Sequence, residues 1–113
     1  MNKYNAKKTE LDGITFDSRL EANRYCELRI MERAGLIQKL ELQPKFTLQE
    51  AFEKNGKKYR PIIYIADFMY FDNEKRQWVV EDAKGIETEV FKIKKKLFEY
   101  KYRNYEIKEI KKK

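Results

Sequence analysis

Histidine does not occur in the chain, and its absence removes every nuclease or hydrolase chemistry that needs an imidazole base or imidazole metal ligands. Ser18 is the one serine, so a serine-based hydrolytic triad is excluded as well. Cys26 is the one cysteine, which rules out an internal disulfide and a multi-cysteine zinc site. It reads as a small apolar helix residue in a reduced, cytoplasmic protein. No apolar run approaches the roughly 18–20 residues of a membrane span, and no signal-peptide core follows the first residues. The two prolines and four glycines form no linker, and no repeat or low-complexity stretch divides the 113 residues. One domain is the expectation at this length, with residues 1–10 polar and mobile and 111–113 a basic tail.

What remains is charge, aliphatics and aromatics. Of the 26 lysines and arginines, ten fall between Phe91 and Lys113 beside three acids; the first 90 residues then hold 16 basic and 16 acidic side chains. The whole excess of +7 therefore sits on one C-terminal segment. A localised basic patch of this kind is the footprint of a polyanion, with a solvated helix and a frayed lysine tail as the bland alternative. Any hydrolytic chemistry must rest on carboxylates, lysine, tyrosine and a hard, oxygen-seeking metal.

Hydrophobic patterning gives the elements. Ser18 with Glu21 three residues on is a capping-box pattern that opens a helix to about Ala34, with Gly35 as its stop. Its apolar side is Leu20, Ala22, Tyr25, Cys26, Leu28, Ile30 and Met31. Residues 37–53 read as extended, with Pro44 forcing a break or bulge, and Asn55-Gly56 signals a hairpin. Tyr59 to Phe71 reads as one strand apolar on both faces, hence central in its sheet. After a turn at Asp72–Lys75, Gln77 to Ala83 forms the next strand, and Gly85 leaves the sheet. Thr88 caps a second helix to about Arg103, with Val90, Ile93, Leu97 and Tyr100 inward and Lys92, Lys95, Lys96 and Arg103 outward. Tyr105 to Ile110 is a last strand. The order predicts an α+β (α/β) fold, αβββαβ, with a mixed sheet flanked by two helices.

Asp67 is the most telling residue in this pattern. Period-two alternation places it on a strand face with Ile63, Ile65 and Met69, where a lone ionised carboxylate has to be paired or bind a cation. Asp82 and Lys84, two residues apart, share a face of the following strand and can converge with Asp67. Two carboxylates and an ammonium suit phosphodiester hydrolysis, the acids holding Mg²⁺ and the lysine orienting a water or stabilising the transition state. The structural alternative is an Asp–Lys ion pair bracing a hairpin. Glu21 likewise has two readings, helix cap or fourth site member. Glu81 faces away from Asp82 and is left out as a ligand. Gln43, before Pro44, is a site-supporting candidate, though a plain strand-end polar residue is the stronger reading.

Glu21 on a first helix, Asp67 in a central strand, Asp82-Ala83-Lys84 in the next and a basic helix after it resemble the PD-(D/E)xK nuclease superfamily. The stretches FDSRLEANRY, LELQPKF, YIADF and VVEDAKG further resemble a small phage- and prophage-encoded family of uncharacterised proteins within it, over roughly Tyr4 to Ile110. The resemblance implies a restriction-endonuclease-like core and dependence on Mg²⁺ or Mn²⁺. By position it makes Asp67, Asp82, Glu21 and the Ala83 carbonyl metal ligands and Lys84 the catalytic lysine. Ala66 stands where the superfamily's name has proline. The function implied is an endonuclease acting on DNA, including branched or junction DNA of the kind Holliday junction resolvases cut. Phosphate contacts would come from Lys92, Lys95, Lys96 and Arg103, and no small-molecule cofactor is needed. Cutting both strands calls for a homodimer. The competing class is a non-catalytic nucleic-acid-binding phage protein that uses only the basic C-terminal helix.

Overall fold

The computed structural model describes residues 8–83 and 87–110. It opens with a small hairpin, β1 (Thr9–Leu11) and β2 (Ile14–Phe16), turning through Asp12 and Gly13 at positive φ. Thr9 and Glu10 therefore belong to a strand, inside the stretch expected to be mobile; residues 1–7 lie outside the description. Helix α1 (Arg19–Arg33) follows, and the Ser18 hydroxyl accepts from the Glu21 N–H at 3.1 Å, as the capping pattern requires. Ala34 caps its C-terminus and Gly35, at φ 79°, turns the chain away. Ala22, Tyr25 and Leu28 face the core, whereas Cys26 and Ile30 prove exposed, so the apolar stripe is narrower than the sequence suggested.

The main sheet has the order β10-β9-β8-β3. Strands β3 (Ile37–Leu42), β8 (Phe68–Asp72) and β9 (Gln77–Ala83) are antiparallel neighbours. Helix α2 (Glu89–Lys101), capped by the Thr88 hydroxyl on the Phe91 N–H at 3.0 Å, carries the chain over to β10 (Glu106–Ile110), which runs parallel to β9. With the excursion between β3 and β8 set aside, the order from α1 onward is αβββαβ, an α+β arrangement with a mixed sheet and two helices. Phe68, Tyr70 and Val79 pack with Ala22, Tyr25 and Leu28 of α1, while Val80, Ile107 and Met69 pack with Phe91 and Phe98 of α2.

The predicted strand from Tyr59 to Phe71 is not one strand. It divides into β6 (Lys57–Tyr59), β7 (Ile62–Ile65) and β8. Strand β7 pairs with β4 (Lys45–Gln49), and β6 with β5 (Phe52–Lys54), so residues 37–72 form a long bent ribbon whose outer part leaves the main sheet. The bend is set at Gln43-Pro44 and shared across the ladder. Gln43, at φ 52°, donates its N–H to the Asp67 carbonyl at 2.9 Å, and the Ala66 N–H reaches the Pro44 carbonyl at 3.1 Å. Pro44 has no N–H to lose there. Pairing thus continues while the strands turn, and Ile65, expected to be covered, is 50% exposed.

Helix α2 also corrects the sequence reading. Val90, Ile93, Leu97 and Tyr100 point outward, with Ile93 60% exposed, and Phe91 and Phe98 are buried instead. Two apolar stripes share this helix. The aromatic one faces the sheet because it joins the rings of Phe46, Tyr64, Tyr102 and Tyr105 around Phe98. Replacing Ile93 with lysine is accordingly expected to change unfolding free energy in urea by no more than about 0.5 kcal/mol. A loss of several kcal/mol would restore the inward placement. No helix among the described residues is long and apolar enough to cross a membrane.

Candidate active site

Strand β9 alternates as a strand must, and its last turns of the pleat carry acids on both sides. Glu81 and Asp82 are both buried, 0% and 1% exposed, yet serve separate environments. Glu81 lies on the α1 side. Arg24 grips it with two parallel bonds, Nε to Oε1 and a terminal nitrogen to Oε2, each 2.7 Å, and the Tyr70 hydroxyl donates to the same carboxylate. The Glu81 hydrogen bond raises the Arg24 pKa further above its ordinary value, and burial together with Glu81 keeps the Tyr70 hydroxyl protonated. Fork-to-fork geometry and a third donor satisfy the buried charge. Glu81 thus faces away from Asp82, as the alternation of the strand predicts.

Asp82, on the opposite side, accepts from the Tyr64 hydroxyl of β7 and acts electrostatically on Asp67. Asp67 sits in the two-residue junction between β7 and β8, where its main-chain N–H donates to the Glu81 carbonyl at 3.1 Å. Its side chain accepts from the Ala83 N–H at 2.7 Å. Its surroundings are therefore polar and anionic, not the aliphatic strand face expected from alternation with Ile63, Ile65 and Met69. The bend explains both the correction and a missed residue. Tyr64 and Asp67 are an odd number of residues apart and would face opposite ways in a regular strand, but turning the chain between them lets both reach Asp82.

Glu21, 5% exposed in the first turn of α1, acts on the same group. Burial first, then the charges of Glu21 and Asp82, push the Asp67 carboxyl up from 3.8 to about 8, against the Ala83 N–H, which pulls it down. The Asp67 carboxyl at the β7–β8 junction thus feels the charges of both Glu21 on α1 and Asp82 at the end of β9. The capping and site readings of Glu21 are compatible, since its main-chain N–H is what the Ser18 hydroxyl caps. Burial and Asp82 hold the Tyr64 hydroxyl above its ordinary pKa, so it acts as a donor.

Not every expected member can be placed. Lys84, which follows Ala83 directly, and Gly85 lie outside the described residues, as do the basic residues 111–113. Gln43 is exposed, and its link to the site is its main-chain bond to Asp67. On α2, Lys92 pairs with Glu89 at 3.4 Å and Lys96 is exposed. Arg103 lies over the Tyr100 ring at 4.9 Å. Lys95 is half-buried and engaged by Glu109 of β10 at 3.0 Å, a contact that raises its pKa and makes it a brace between helix and strand. Tyr64, Arg24 and Tyr70 are the participants that sequence reasoning passed over, and their partners are 18, 57 and 11 residues away.

Among the described residues no group of three or more acidic or cysteine side chains is spaced to hold a metal ion as it stands. Asp82 accepts from the Tyr64 hydroxyl and Asp67 from the Ala83 N–H. The donor chemistry nevertheless fits a hard divalent cation, because it is oxygen only and holds more negative charge than a buried position sustains without a proton or a cation.

Fold and site together define an α+β domain with a buried acidic cluster at the end of its central sheet. The chain belongs to the family described as "Protein of unknown function (DUF1064)", whose profile matches residues 1–113. No curated protein and no solved structure matches it.

Proposed function

We propose that this protein is a metal-dependent DNA endonuclease of the PD-(D/E)xK type, hydrolysing phosphodiester bonds in duplex or branched DNA. The observation that carries the reading is the electrostatic coupling of Asp67 to Glu21 and Asp82, two buried acids on separate elements, which with burial favours a proton or a cation on Asp67. Asp67, Asp82, Glu21 and the Ala83 carbonyl would hold Mg²⁺ or Mn²⁺, which when bound acidifies water and offsets charge on the phosphate. Tyr64 fixes the Asp82 carboxylate by donating to it. The Ala83 N–H orients Asp67. Lys84, assigned from the sequence, supplies the ammonium that stabilises the developing phosphorane charge. Lys92 and Lys96 on α2, and Arg103 in the turn beyond it, supply phosphate contacts, with Lys95 committed to Glu109.

The test is incubation of a four-way junction and a linear duplex with Mg²⁺ or Mn²⁺, comparing wild type with Lys84→Ala and Asp82→Asn. Cleavage by the wild type should fall about 10²-fold or more in each variant, the scale seen when one charge-stabilising group is removed from a site, while DNA binding is retained. Cleavage that persists in both variants overturns the assignment. Binding without cleavage under any metal favours the non-catalytic DNA-binding class.

A further inference from the structure

Among the described residues, the outer end of the bent ribbon has no partner. Strands β5 and β6 pair only with each other, joined through Asn55 and Gly56 at φ 52° and 78°, the two positive values of a type I′ turn. Every residue from 50 to 61 is exposed. A two-stranded hairpin is at best marginal alone in water, yet this one keeps two aromatic rings in solvent. The Phe52 and Tyr59 rings stack at 4.6 Å and 9°, 44% and 38% exposed, and the Lys57 ammonium lies 5.0 Å from the Tyr59 ring centre. Buried aromatic packing anchors the base of the ribbon. Phe46 and Tyr64 meet Phe98, Lys101 and Tyr102 bond the Thr47 carbonyl at 2.7 and 3.0 Å, and Lys94 bonds the Ile63 carbonyl at 2.9 Å.

The register sorts the tip into two unlike faces. Phe52 pairs with Tyr59 and Lys54 with Lys57, so two rings and two ammonium groups share one face without an acid. Glu53 and Lys58 pair on the other face, where their charges offset. A two-stranded ribbon matches the roughly 12 Å width of a major groove, lysines suit its phosphate walls, and ring edges suit thymine methyl groups. The molecule is drawn out to match: its radius of gyration is 15.9 Å, against about 13 Å for a compact chain of this size. From the bend beside Asp67, the nine steps from Lys45 to Lys54 carry the tip roughly 30 Å at about 3.3 Å per residue.

We infer that the 52–59 ribbon is a DNA-engaging arm that lays its Phe52–Tyr59–Lys54–Lys57 face into the groove of a duplex, about one helical turn from the acidic site. The inference rests on the DNA reading of that site and adds where the duplex is held. The experiment is anisotropy titration of a 30-base-pair duplex without metal across a salt series, using the full chain and the single substitutions Lys54→Glu, Lys57→Glu and Lys58→Glu. All three change net charge equally and all three positions are exposed, so folding is checked only by circular dichroism. Lys54→Glu and Lys57→Glu should each weaken binding roughly tenfold at low salt and lower the salt slope by about 1, with Lys58→Glu well behind. Equal losses in all three mean face-blind electrostatics and overturn the inference, as does unchanged affinity. The two readings separate cleanly. Face-specific binding with no cleavage leaves the arm and removes the nuclease; metal-dependent cleavage with arm variants binding as wild type does the reverse.

Discussion

Raising the pH from 5 to 9 is expected to destabilise the metal-free protein through Asp67, and Asp67→Asn is expected to remove that component. In the unfolded chain the carboxyl titrates near 3.8; in the fold it holds its proton to about 8. Between those values the native state binds a proton that the unfolded state has released, so unfolding free energy falls as pH rises. The contribution is complete below the unfolded pKa and lost as pH passes through the folded one. Its slope is at most about 1.4 kcal/mol per pH unit. Because Asp67 is coupled to Asp82 and Glu21, the difference between wild type and Asp67→Asn is the quantity to measure, by thermal melts at each pH in a chelator. Mn²⁺ should raise the wild-type Tm more at pH 8 than at pH 5, since it competes with that proton, and should raise the Asn variant less. A wild type and a variant with parallel Tm profiles would refute the account.

Substituting methionine for Arg24 is expected to cost about 3–5 kcal/mol, because Glu81 would be left as a buried carboxylate with Tyr70 as its remaining donor in the set described. Lysine should not rescue it, since an ammonium cannot reproduce the paired bonds of the guanidinium. Exchanging both partners for apolar residues, Arg24→Met with Glu81→Met, should recover much of the loss. Urea denaturation of the two singles and the double gives the coupling directly. A single Arg24→Met variant within about 1 kcal/mol of wild type would show that the pair carries little. If the acidic cluster is the catalytic site, the double variant should still cleave DNA, because Glu81 lies across the sheet from Asp82.

Local signals in the sequence were enough for some elements. Ser18 and Thr88 mark both helix starts, Gly35 marks a stop, and the bounds of β9 follow from Gln77 to Ala83. Asn55-Gly56 marks the hairpin at the end of the arm. What resisted reading was long-range. The ribbon bends at Ala66-Asp67, which contain neither glycine nor proline, because the cause lies on the paired strand at Gln43-Pro44. Asp67 was therefore singled out for a strand face that the bend removes. Its apolar strand face does not exist, and its acidic neighbours come from α1 and β9. On α2, spacing recognised one apolar stripe and could not weigh it against the aromatic one, whose partners are distant in sequence.

The alternation of β9 has a consequence for anyone who recombines, circularly permutes or inserts tags into this domain. Glu81 and Asp82 are adjacent in sequence but stand in two sealed compartments, and Trp78 to Val80 set which residue enters which. One residue added there would bring Glu81 to Tyr64 and Val80 to Arg24, and one removed would bring Asp82 to Arg24 and Ala83 to Tyr64, so either change leaves one partner with the wrong acid and the other with none. The turn at 73–76 differs: it is fastened by Asp72 Oδ1 to the N–H groups of Glu74 and Lys75, is open to solvent from Glu74 to Arg76, and precedes the strand. It is a natural splice point, and the residues just after it behave as a reading frame.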